Sequence, residues 1–280
     1  MPNSYQKEKE RKEFILYNQY KKLNDDELVS LLDDRNALKR ISAARELQSR
    51  GGQDTLRLAE ELCHNNNYIR RDTGAFILGQ IELCNECGDD IFALLTKIAL
   101  HDKSACVRST AIESMAQRCK RNPIYSSKIA VQSQLTAFDK SVNVRRATAF
   151  ALSVINDKAT IPLLINLIKD PSGDVRNWAA FAINTNEYDT EDIRNCFVEM
   201  LQDKNEEART EAIIGLSYRH DKRVFSALCC ELKKDTVYDD IIEAAGELGD
   251  KSLLPILDAM LHRFDDTKII IAAINKLESA

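Results

Sequence analysis

The sequence predicts an all-α protein, a right-handed α-α superhelix of about eight stacked helix pairs. Three observations lead there. Glycine and proline total 14 of 280 residues, too few turn formers for a strand-rich sandwich or barrel. An acidic residue stands six positions before an arginine at Asp34/Arg40, Asp102/Arg108, Asp139/Arg145, Asp170/Arg176 and Asp203/Arg209, the self-similarity that marks a repeat array. Between these anchors apolar residues recur at helical spacing in two runs per copy.

Taken in order, residues 1–24 lie outside the repeat. Lys7, Lys9, Arg11 and Lys12 alternate with Glu8, Glu10 and Glu13, and Phe14, Leu16, Tyr17, Tyr20 and Leu23 follow. This reads as a capping helix with a charged start and an apolar face laid over the first repeat, as an array end requires. Residues 25–280 hold the repeats. In the second copy Arg70 keeps the frame with His64 in the acidic slot, in the seventh Ile241 follows Asp235, and Ile270 marks the last.

Each copy reads as helix A then helix B. Helix A is clearest in Asp157 to Ile168, where Asp157 caps the start and Pro162 sits in the opening turn, where a missing N–H costs little. Asp250 to Leu261 repeats the arrangement with Pro255. Helix B begins between Asp170 and Val175 and aligns Val175, Ala179, Ala182 and Ile183 on one stripe. Paired alanines in the B helices allow close approach. No single pair buries its own stripe, so stacking supplies the core.

The unit Asp-x-Lys-Ala-x-x-Pro-Leu…Asp-x-x-x-x-Val-Arg-x-x-Ala-Ala resembles HEAT repeats, in the phycobilisome-lyase HEAT-like subtype, over residues 25–280. The stretches KKLNDDEL, NYIRRDTGAFILGQI, DKSACVRSTAIES, NPIYS and NVRRATAFALSVINDKATIPLLINLIKDPSGDVRNWAAFAIN resemble an enterobacterial HEAT-repeat family encoded beside Rhs polymorphic-toxin genes. The resemblance implies a cytosolic immunity protein that binds and silences a cognate toxin domain. It also implies that the Asp–Arg frame forms a hydrogen-bonded ladder between turns. Recurrence in five copies gives that frame a structural role, because catalysis needs one constellation and a fold needs a feature in every copy.

Chemical signatures are sparse. Cys84 and Cys87 form one CxxC without the second needed for a four-thiolate zinc site. Cys63, His64, His101 and Cys106 fall in adjacent A–B turns, but equivalent points on stacked helices lie about 8–10 Å apart, wide for convergence on one ion; the cysteines read as small hydrophobes. G-x-S-x-G, H-E-x-x-H, Walker and G-x-G-x-x-G motifs are missing. The reading is a non-enzyme with no catalytic residue, cofactor or metal.

HEAT-like solenoids curve with B helices lining the concave side. Counting along each B helix, the side chains turned away from the apolar stripe are Arg71, Asp72, Glu113, Arg146, Phe150, Asn177, Trp178, Phe181, Glu211, Ile214 and Glu243, and the same side takes in Tyr218. Trp178, Phe150, Phe181 and Ile214 form the expected apolar centre, edged by charge, as at interface hot spots. The competing placement packs Trp178 and the phenylalanines against the next repeat.

Net charge is −5 over the chain, but −9 from Asn184 onward and +4 before it. The balance argues against nucleic-acid binding, which needs clustered Lys and Arg, and the acidic half suits a basic partner such as a nuclease toxin. No apolar run reaches the length of a membrane span. Charges stand where a signal peptide needs an apolar run, so the expected location is the cytosol, where the eight cysteines stay reduced, with the chain a monomer when free. The rival functions are a general protein-interaction scaffold, a bilin-lyase-like enzyme and a HEAT-like DNA glycosylase.

Overall fold

A computed structural model describes the backbone of residues 4–81, 88–264 and 266–279, and side chains from residue 11 onward within these ranges except residue 13. Cys84 and Cys87 lie outside the described residues. Among the described residues all regular structure is helical, so the chain is an all-α, α-α solenoid. It divides into two compact units, residues 1–155 and 156–280.

The first unit opens with α1 (Ser4–Tyr20) and continues through four pairs. These are α2 (Asp25–Leu31) with α3 (Ala37–Arg50), α4 (Gly52–Cys63) with α5 (Tyr68–Gln80), α6 (Gly88–His101) with α7 (Ala105–Arg121), and α8 (Ser126–Thr136) with α9 (Val142–Ser153). The second unit holds α10 (Ile161–Leu167) with α11 (Gly173–Thr185), α12 (Glu191–Met200) with α13 (Glu206–Tyr218), α14 (Phe225–Leu232) with α15 (Asp239–Leu248), and α16 (Leu254–Leu261) with α17 (Lys268–Ser279). Eight pairs follow α1, the number the repeat spacing predicts.

Within each unit the second helices pack on their own partners and on one another: α3 on α5, α5 on α7 and α7 on α9 in the first, α11 on α13, α13 on α15 and α15 on α17 in the second. The core lies between these layers. Val175, Ala179, Ala182 and Ile183 are fully buried, as the stripe requires. Where backbones come closest even alanine is too large: a Cβ on Gly74 would sit 2.6 Å from the Ala59 carbonyl oxygen and 2.8 Å from the Cys63 nitrogen. In the first unit Phe92 stacks on Tyr125, ring centroids 4.4 Å apart.

Side chains cap several of the helix starts. Asn24 and Glu27 form a reciprocal capping box at α2, and Thr190 caps α12. Asp157 and Asp250 cap the single 3-10 turns before α10 and α16, and Pro162 and Pro255 are the second residues of those helices. The α1 helix packs on α3 and buries Tyr20, while Phe14 and Tyr17 remain exposed. Of the apolar row expected over the first repeat, Tyr20 is thus buried, Leu16 and Leu23 are half-buried, and Phe14 and Tyr17 are open.

The Asp–Arg frame forms the ladder that the resemblance implies. Asp170 Oδ1 accepts the Ser172 N–H at 2.8 Å, its carbonyl accepts from Arg176 at 2.7 Å, and Arg176 reaches across to both Asp203 oxygens at 2.6 Å. Arg108 makes the same two-pronged contact with Asp139. One register correction follows. In the second pair the ladder arginine is Arg71, not Arg70: Arg71 donates to the Asn65 carbonyl at 2.9 Å and to both Asp102 oxygens. Asn65 takes the acid's place by accepting the Asn67 N–H at 2.9 Å. Arg70 instead pairs with Asp33. The neutral Asn65 leaves the preceding arginine, Arg40, donating to the carbonyls of Asp34 and Arg35.

Candidate protein-interaction surface

Two clusters of the sequence-predicted residues form, one in each unit. In the first unit, Asp72 accepts from Thr110 Oγ1 at 2.6 Å and from the Cys106 thiol at 3.5 Å, so α5 and α7 share a polar seam. Glu113 pairs with Arg146 at 2.9 Å, joining α7 to α9. Burial pushes the Glu113 carboxyl up and Asp72 adds to the rise, while Arg146 opposes it. Phe150 is half-buried, with the Lys120 ammonium 5.1 Å from its ring centre. Arg71 leaves the candidate surface: its guanidinium turns into the loop ladder, which the one-residue register error concealed.

In the second unit, α11 presents Trp178, Phe181 and Asn184 at i, i+3 and i+6, and α13 presents Glu211, Ile214 and Tyr218. Trp178 meets Phe181 edge to face at 5.3 Å and 78°. Trp178 and Ile214 are half-buried, while Phe181 is 38% and Tyr218 48% exposed. Asn184 links the helices by donating to both the Glu211 carbonyl, at 2.9 Å, and its carboxylate, at 3.0 Å. Asn177 donates to Glu207 at 3.4 Å, and Glu243 on α15 is exposed. Phe181 and Tyr218 thus keep open surface and Trp178 part of it, whereas Phe197 and Tyr188 of the same unit are buried. Phe150 belongs to the other unit, so the apolar centre of α11 and α13 consists of Trp178, Phe181, Ile214 and Tyr218.

Beside this row opens a pocket of about 530 Å³, lined by Asn184, Glu187, Asp189, Arg194, Ile214, Tyr218, Arg219 and His220. Arg219 builds its inner wall. All five of its N–H groups are used, on the carbonyls of Tyr188, Ile183 and Gly215 and on Asn184 Oδ1. Its guanidinium also lies 5.2 Å over the Phe197 ring. Burial lowers its proton affinity and Asp189 opposes that. Arg194 grips Asp189 with two hydrogen bonds, at 2.8 and 2.6 Å, and donates to the Arg219 carbonyl at 2.9 Å. Glu187 and His220 occupy the left-handed region at φ 53° and 52°, unusual for side chains with a Cβ.

The sequence reading missed this pocket, because it comes from helix ends and two B–A loops rather than from a repeated helix face. The dipeptide Arg219-His220 and the non-glycine residues at positions where Gly249 supplies a left-handed turn are its trace in the chain. A second omission lies on a first-layer helix. Ile124, Val131, Leu135 and Phe138, on and beside α8, are each between 63% and 73% exposed.

The four residues weighed as a metal set do not assemble. Cys63 is buried, its thiol pushed up to about 12 chiefly by burial, and His64 Nδ1 lies 2.8 Å from the Glu60 carbonyl oxygen. The Cys106 thiol is pushed up to about 11, by burial and then by Asp72. Among the described residues no three His, Cys, Asp or Glu side chains are placed to hold a metal ion. Among them also, no helix is long and apolar enough to cross a membrane.

A family model for HEAT repeats matches residues 92–184 and 130–217. Protein YibA of Escherichia coli K12 is 75% identical over 278 residues, 99% of each chain. The chain belongs to the YibA family of HEAT-repeat proteins. Another YibA, from E. coli O157:H7, matches to the same extent. The X-ray structure of E. coli YibA superposes with a TM-score of 0.86 at 74% identity, covering 96% of this chain and 97% of that one. A looser likeness, TM-score 0.45 at 17% identity, covers 92% of this chain and 95% of one in the complex of CpcE and CpcF of phycocyanin lyase from Nostoc sp. PCC7120. That distance bears on no chemistry. In this YibA-family chain, then, the features to explain are an aromatic row, a pocket and a seam of paired charges.

Proposed function

We propose that this chain is a non-catalytic, protein-binding solenoid of the cytosol, an immunity protein that neutralises a cognate Rhs-type toxin domain. The aromatic row of the second unit carries the reading. Trp178, Phe181 and Tyr218 keep exposed area on a unit of net charge −9, the combination of aromatic anchors and charged rim that protein interfaces favour. An acidic unit speeds encounter with a basic protein such as a nuclease and discourages nucleic acid. The Rhs connection rests on the sequence resemblance alone.

The test is co-expression with the C-terminal domain of the neighbouring Rhs-type gene, followed by co-purification. Protection from that domain, and a complex weakened at least about 30-fold by Trp178→Ala, the equivalent of about 2 kcal/mol, supports the reading. A toxin domain that kills equally with or without the chain overturns it.

A second reading, a general interaction scaffold, is favoured by the exposed row on α8. Leu135→Lys separates the two: loss of partner capture with Trp178→Ala harmless places the interface on α8.

A further inference from the structure

The aromatic row ends at a pocket whose cations are already spent. Every donor of Arg219 is taken by a backbone carbonyl or Asn184, and Arg194 is held by Asp189 and a carbonyl. An anion entering here would find no free guanidinium fork on Arg219 and would face carboxylates. Glu187 lines the pocket and is exposed; its charge is felt at Arg219, but no ion pair within 4 Å ties it down among the described residues. Glu211 stands on the Tyr218 helix, with Asp240, Glu243 and Glu247 on α15; of these, Glu247 pairs with Lys276. The negative field is felt at Tyr218, whose phenol is pushed up first by burial and then by Glu247, Glu243 and Asp240. Tyr218 offers a half-exposed ring and Ile214 an apolar wall.

Resting on the reading of this surface as an interface, we propose that the pocket receives one basic side chain, arginine or lysine, from the protein partner. The ring of Tyr218 faces the cation, Glu187 supplies the counter-charge, and Ile214 covers the aliphatic stem. The volume, about 530 Å³, falls in the ordinary range of small-ligand pockets and admits the whole side chain. Trp178 and Phe181 then anchor the surface beside it.

The experiment titrates the full-length chain with N-acetyl-arginine amide, N-acetyl-lysine amide and the neutral isostere N-acetyl-citrulline amide, following the Ile214 methyl and Tyr218 ring resonances. Saturable shifts from either cation, at least tenfold weaker from citrulline and lost in both Glu187→Gln and Tyr218→Leu, are expected; the stronger cation identifies the side chain. Equal shifts from citrulline, shifts from neither cation, or tighter binding of inorganic phosphate overturns the proposal. Thermal melts of both variants establish that they are folded. The titration needs no partner, so it separates the two claims: Trp178→Ala abolishing partner capture while no cation binds leaves the interface standing and removes the pocket from it.

Discussion

Arg176 and Asp203, 27 positions apart, are joined by two parallel hydrogen bonds of 2.6 Å that tie one A–B turn to the next. The same arginine closes its own turn on the Asp170 carbonyl, so one side chain sets both the loop and the stacking distance. The pair is nearly buried, with side-chain exposures of 19% and 7%. Loss of the arginine side chain therefore strands the Asp203 carboxylate and the Asp170 carbonyl.

Arg176→Ala is expected to destabilise the second unit by about 2–4 kcal/mol, toward the cost of breaking a buried pair, and to lower its melting temperature by several degrees. Calorimetry reads this. Arg176→Lys recovers little, since an ammonium cannot serve both Asp203 oxygens and the loop carbonyl in one plane. Unchanged melting in the alanine variant would deny the ladder its role.

Acid weakens the same links. The Arg176 hydrogen bonds hold Asp203 below the usual carboxylate range against burial. At Asp102 and Asp139 burial pushes upward but is outweighed by Arg71, Arg108 and backbone N–H groups. A lowered folded-state pKa means the unfolded chain binds the proton first. The contribution is complete above the unfolded value of about 4 and is lost as pH falls through the folded values. Stability should decline steeply below about pH 4, and Arg176→Ala should flatten that decline. Denaturant midpoints between pH 3 and 6 measure both.

Gly74→Ala should destabilise the first unit by about 1–3 kcal/mol, the usual range for overpacking. The new Cβ would meet the backbone of α4 at Ala59 and Cys63, and backbone does not step aside as a side-chain tip does. A melting temperature unchanged in this variant would mean that α4 and α5 separate freely.

At the pocket rim, His220→Gly and Glu187→Gly should each raise stability by about 1 kcal/mol, since glycine carries no Cβ penalty at their positive φ. Gly249 shows the relaxed solution at the equivalent turn. Expected with the stability gain is a loss of partner affinity in Glu187→Gly; thermal melts and binding measured side by side test the trade.

Much of this architecture was legible in the chain. The Asp–Arg spacing gave the number of pairs, the buried stripe of α11 and the ladder's alternation, because every copy must satisfy the same loop carbonyls and stack on the same alanines. The second copy misled by one residue: His64 and Asn65 both stand where an acid belongs, and Arg70 and Arg71 are adjacent. The alanine register decides between them, since Gly74-Ala75 follows Arg71 as Ala43-Ala44 follows Arg40. Helical spacing turned Phe181 and Trp178 away from the buried stripe, and Phe181 is exposed while Trp178 is half-buried. The pocket was not legible, because it arises from helix ends and loop conformations, to which no repeat position corresponds. Nor was the α8 row, whose apolar residues carry the same pattern as a core-facing stripe.

The uncharged Asn65 has a consequence for the first helix pair. Without a carboxylate opposite Arg40, the first helix pair is fastened to the second by the solvent-facing Arg70–Asp33 contact, by the Gln48 amide, which donates to the Phe76 and Ile77 carbonyls, and by side-chain packing. The two-pronged arginine–carboxylate bond that ties Arg71 to Asp102 and Arg108 to Asp139 is therefore missing at this one junction of the first unit. Amide protons of α2 and α3 should exchange through a local event at lower free energy than those of α7, making the leading pair a separately melting segment.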